Sequence, residues 1–82
     1  MRKVSRMSAN DAQRRSRIAT AERLHAMAES AVADARTRLM EADRNWRRLG
    51  DRALLDSAQR EMNTCMNLLA MRERELRHAR SN

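Results

Sequence analysis

Between residues 18 and 49, side chains suited to a helix interface recur on alternating three- and four-residue steps: Ile18, Ala21, His25, Ala28, Val32, Ala35, Leu39, Ala42, Trp46 and Leu49. That spacing is the a/d seam of a helix lying along another helix. In heptad lettering Ala21, Ala28, Ala35 and Ala42 all occupy d. A small side chain in every layer lets the partner backbone come close. A second stripe supplies the complement. Leu55, Met62, Leu69 and Leu76 repeat every seven residues with Ala58, Cys65, Arg72 and Ala79 between them, so bulk on one stripe meets alanine on the other.

Gly50, the only glycine, follows the last residue of the first stripe and Asp51 precedes the second. Glycine suits the left-handed residue that ends a helix, and aspartate accepts from the orphan N–H groups that start one. The pair therefore reads as a stop and a start, and so short a connection returns the chain antiparallel. Four segments are expected: a basic lead over 1–8, helix 1 over 9–49, a turn at 50–51 and helix 2 over 52–79. Ser8 with Asp11 three residues later resembles a capping box for helix 1. The expected fold is all-α, an antiparallel two-helix hairpin of coiled-coil type. Two registers satisfy the large-against-small rule, one with facing residue numbers adding to 97 and one to 104; the first places His25 beside Arg72. On the outer faces, acids precede bases by four residues at Asp34/Arg38, Asp43/Arg47, Asp56/Arg60 and Glu73/Arg77, a pattern that supports isolated helices.

Composition changes this picture in one respect. With no Phe, no Tyr and a single Trp, the large side chains that dominate most cores are nearly absent. A chain of 82 residues folded as two helices has little core of its own, so a protein partner or a second copy should complete it, the latter as a four-helix bundle. Apolar residues beside the stripes supply the means. Leu24, Met27 and Met40 on helix 1 and Leu54, Met66, Leu68 and Met71 on helix 2 cannot all reach the hairpin seam. The candidate protein interface is Leu24, Met27, Leu54, Met62, Met66, Leu68, Leu69 and Met71; methionine suits surfaces that adapt to a partner.

The net charge of +7 is unevenly placed: residues 1–17 hold six bases and one acid, 18–71 eight of each, and 72–82 four bases and two acids. A hairpin gathers both terminal segments at one end. Arg2, Lys3, Arg6, Arg14, Arg15, Arg17, Arg74, Arg77 and Arg80, with Arg72, then form a basic pole able to contact phosphates without any base-reading motif.

Other chemistry is poorly provided for. His25 and His78 are far apart, no His/Cys/carboxylate cluster has ligand spacing, and Cys65 lies on a seam where a thiol acts as a small hydrophobe. No catalytic residue, metal, cofactor or small-molecule ligand is expected. One cysteine allows no internal disulfide, and no apolar run is long enough to span a bilayer or act as a secretory leader, so a cytoplasmic location is expected.

Gly50-Asp51, then Gln59-Arg60-Glu61, then apolar Cys65 and Leu69 resemble the corresponding stretch of the YscE-type small chaperones of bacterial type III secretion. The resemblance covers about a quarter of the chain. It implies an antiparallel hairpin that joins a tetratricopeptide-fold cochaperone to hold a needle subunit unpolymerised. The expected function is a non-enzymatic interaction module, an adaptor or chaperone-like subunit docking a helical partner. The alternative is a small dimer that binds nucleic acid through its basic pole.

Overall fold

The computed structural model describes residues 9–81. Helix α1 runs from Ala9 to Leu49 and helix α2 from Arg52 to Ser81, and the two pack against each other. Among the described residues only Gly50 and Asp51 are not helical. The expected all-α hairpin is the observed fold. The Ser8 cap and the basic lead lie outside the described residues. Helix α2 continues two residues past the expected end at position 79; its last turn carries His78 and Arg80, and basic groups there favour helix continuation by opposing the dipole.

The turn is built as its two residues require. Gly50 has φ +72° and its N–H donates to the Trp46 carbonyl at 2.9 Å, the single bond of an αL cap. Asp51 then caps α2, with the Leu54 N–H donating to its Oδ1 at 3.0 Å. Beside it the Arg52 guanidinium lies 5.3 Å from the Trp46 ring centre and closes the end of the seam. Leu49 departs from the expected seam. It is 74 % exposed, because the chain reverses one residue later and nothing on α2 lies opposite it.

Elsewhere the seam is where the heptads place it. Ala21, Ala28, Val32, Ala35 and Ala42 of α1 and Ala58 and Leu76 of α2 are buried. Ile18, His25, Leu39 and Trp46, with Leu55, Met62, Cys65, Leu69, Arg72 and Ala79, are half-buried. Full burial falls mainly on alanine because two helices cover only what lies directly between them. Cross-helix contacts fix the register. Arg38 meets Glu61, His25 meets Glu73, Glu22 meets Arg80 and Arg14 meets the Arg80 carbonyl; the paired numbers add to 99, 98, 102 and 94, which centre beside 97 and not on 104. Bulk and alanine alternate along the stripes, and Ala21 and Leu76, whose numbers add to 97, are both buried.

The polar layer differs in detail from expectation. His25 and Arg72 share a layer but turn to opposite faces. The imidazole sits between Glu29 (Nδ1 to Oε1, 3.7 Å) and Glu73 (Nε2 to Oε2, 3.8 Å), while Arg72 donates to Glu75 at 2.8 Å. Each of the two side chains gains more from a carboxylate than from the other. Ion pairing is also redistributed. Asp43 and Arg47 pair at 3.1 Å as spaced, but Asp56 takes Arg52 instead of Arg60, at 3.4 Å, and Arg38 reaches across to α2.

Ala35 is fully buried, so Ala35→Leu should destabilise the hairpin by about 1–3 kcal/mol through overpacking. The exposed Ala33→Leu should be within about 0.5 kcal/mol of the parent. Thermal unfolding followed by circular dichroism checks both, and equal stabilities would contradict close packing at that layer. Nothing lies within 4 Å of a Cβ added at Gly50, so Gly50→Ala tests φ alone; the expected loss is about 1–2 kcal/mol, read in the same assay.

Candidate functional site

Two helices in one layer present two broad faces, and heptad geometry assigns each flanking residue to one of them. Residues seven apart on a helix share a face, so the cross-helix pairs mark the faces for the rest. The Arg38–Glu61 face carries Arg17, Leu24, Ala31, Arg38 and Asn45 from α1 and Leu54, Glu61, Leu68 and Glu75 from α2. The opposite face, marked by His25–Glu73 and by Arg80 to Glu22 at 3.1 Å, carries Glu22, Glu29, Arg36 and Asp43 with Gln59, Met66, Glu73 and Arg80. One face is interrupted by leucines; the other is almost wholly charged.

The candidate interface residues accordingly separate into three groups. Leu24, Leu54 and Leu68 lie on the Arg38–Glu61 face, and Met27 and Met71, three residues beyond Leu24 and Leu68, flank it on the outside. Met27, Leu54, Leu68 and Met71 are exposed and Leu24 is half-buried. Met62 and Leu69 belong to the seam and are half-buried. Met66 stands on the opposite face, and Met40 projects from the same flank as Arg36 and Asp43. The structure thus places Leu24, Met27, Leu68 and Met71 along one stretch of this face, with Leu54 on the same face beyond the Arg38–Glu61 pair, about 21 Å from Leu68 along α2, and it adds Ala31, which sequence reasoning passed over. The signal was present, since Ala31 lies seven residues after Leu24 and seven before Arg38.

Two shallow clefts open on this face. One is lined by Ser16, Arg17, Thr20, Ala21, Leu24, Arg72 and Glu75; the other by Arg38, Glu41, Ala42, Asn45, Leu54, Ser57, Ala58 and Glu61. Each contains a leucine over a buried alanine and an Arg/Glu pair at its rim. The Arg38–Glu61 pair is bidentate, Nε to Oε1 at 2.8 Å and Nη2 to Oε2 at 2.9 Å, the geometry that a planar guanidinium and a carboxylate share. The hydrogen bond from Arg38 holds the Glu61 carboxyl below its ordinary range, and the same bond, with Asp34 nearby, raises the Arg38 guanidinium.

The hairpin also gathers the described part of the basic pole. Arg14, Arg15, Arg17, Arg74, Arg77 and Arg80 are all exposed, and Arg14 Nη2 donates to the Arg80 carbonyl at 3.0 Å, tying the two helix ends together. Arg2, Lys3 and Arg6 lie outside the described residues. Among the described residues no group of three or more His, Cys, Asp or Glu could hold a metal ion, and no helix is long and apolar enough to cross a membrane. Cys65 is a free, half-buried thiol.

No protein-family model, curated protein or solved structure matches the chain.

The depressed Glu61 gives a pH test. A carboxyl whose folded-state pKa is lowered contributes stability that is present above its unfolded value and lost as pH falls through the folded one. Glu61→Gln should therefore lower stability at neutral pH and make no difference well below the carboxylate range. Denaturant midpoints of both proteins across that interval check it; a difference that persists in strong acid would assign the effect to packing.

Proposed function

We propose that the chain is a non-catalytic protein-interaction module that docks a helical partner on the face carrying Leu24, Met27, Leu54, Leu68 and Met71. The carrying observation is the asymmetry of the two faces: these five exposed or half-buried apolar residues share one face, while the other is mostly charged, with Met66 and, at its flank, Met40 as its large apolar residues. Burying apolar area is the main driving force for association, and exposed methionines and leucines above a half-buried seam are what a further helix would cover. The short resemblance at Gly50-Asp51 and Gln59-Arg60-Glu61 adds a more specific form of the reading, an adaptor or chaperone-like subunit acting in the bacterial cytoplasm, as in type III secretion.

A second reading rests on the Arg14–Arg80 contact, which draws arginines from both helix ends to one tip. There the protein would bind nucleic acid through phosphate contacts. Salt separates the two. About six phosphate contacts lose on the order of a thousandfold in affinity between about 50 and 200 mM salt, whereas an apolar docking face is little affected. The host protein should therefore purify with a helical polypeptide that survives the higher salt. Leu24→Glu and Leu68→Glu should release it and Met66→Glu should not. Co-purifying RNA or DNA lost over that salt interval, with no protein released by the leucine substitutions, would favour the second reading.

A further inference from the structure

Resting on the docking-face reading, we propose that the helical partner is a second copy of this chain, lying antiparallel to the first so that the two basic poles point apart. Three observations lead there. The first is incompleteness: among the described residues no large side chain is fully buried, and the half-buried Leu39, Leu55, Met62 and Leu69 lie in a single helical layer. A second such layer turns the hairpin into a four-helix bundle and covers these seam residues from the side of the docking face.

The second is charge. The face itself is balanced, because Arg38 is matched by Glu61 and Arg72 by Glu75 within the chain. Between the two clefts a copy of the same face meets matched Arg/Glu pairs, with Arg17 standing at the pole end of the face, whereas a strongly acidic or basic partner would gain nothing from those pairs and would be drawn to the pole instead. A self-complementary surface of this kind is what a twofold interface requires.

The third is orientation. The surplus of seven positive charges lies wholly in residues 1–17 and 72–82, while 18–71 are neutral in sum. A parallel pair would set two strongly basic poles side by side; an antiparallel pair places them at opposite ends of a rod. With α1 41 residues long, the poles are then separated by far more than a Debye length of about 8 Å.

Sedimentation equilibrium of the full chain measures the mass, and the expected result is two chains, reduced to one by Leu68→Glu and left at two by Met66→Glu. Because the leucine variant could fail to fold, orientation is read separately on a stable background. A nitroxide on Arg15→Cys, with Cys65→Ser to leave one thiol, should give an inter-copy distance of about 50 Å, from about 16 residues at about 1.5 Å on each side of the face's centre. A distance below about 25 Å would overturn the antiparallel arrangement, and a dimer broken by Met66→Glu but not by Leu68→Glu would overturn the face. A wild-type chain that is monomeric and helical overturns self-association outright. In that case a host polypeptide still released by Leu24→Glu would leave the docking reading standing, and its absence would remove both.

Discussion

Everything in this fold depends on how near one helix can come to the other, and that is set by alanine at d. Ala28, Ala35 and Ala42 are at most 2 % exposed, so α2 lies against the backbone of α1 along that stripe. Close approach puts the larger residues of the opposite stripe over alanines, not against equals, a condition that the registers adding to 97 and to 104 both meet. It also has a cost. An alanine contributes little apolar area, and the leucines and methionines that could contribute about 1.5–3 kcal/mol each when fully buried remain partly in water. The seam stabilises the pairing modestly.

From this follows the character of the surface. A single two-helix layer has its a/d contacts in the middle and a flanking row on either side. Here the rows diverge: one mixes leucine, alanine and matched Arg/Glu pairs, the other is a run of carboxylates and arginines with Met66 among them. The charged row solvates its side of the hairpin; the mixed row leaves apolar surface continuous with the half-buried seam beneath it. The same interaction that holds the helices close thus exposes the residues that invite a further helix.

The seam, the turn and the helix limits were legible in the sequence because each is a local or strictly periodic signal. Gly50 ends α1 through its own positive φ, Asp51 caps α2 through its own carboxylate, and seven-residue repeats do not depend on the partner. What was not legible depended on both helices at once. Asp34 stands four residues before Arg38, the spacing of an intrahelical pair, yet Arg38 turns to Glu61, since two aligned hydrogen bonds to one carboxylate outweigh a single helical-surface contact. His25 and Arg72 share a layer but leave it in opposite directions for Glu73 and Glu75. The candidate interface was pooled from both faces for the same reason. Once the register is fixed, Met66 falls with Glu73 and Leu68 with Glu61, and a set of eight residues resolves into one face, one seam pair and an outlier.

The basic pole shows how far a count of charges can stand for a binding surface. Two of its arginines already serve the fold: Arg14 satisfies a carbonyl in the last turn of α2 and Arg80 pairs with Glu22. Both contacts cross between helices at the open end of the hairpin, far from the turn, where fraying would otherwise begin. An anion binding at the pole would compete with Glu22 for Arg80 and with the helix-end carbonyl for Arg14, so its gain is offset by contacts it displaces. Leu68 and Met71 have no such prior engagement with polar groups; covering them displaces only water. That comparison of what each surface must give up is what favours the apolar face in the proposed docking, and in the proposed pairing the pole acts mainly by setting which way a second helix pair can lie.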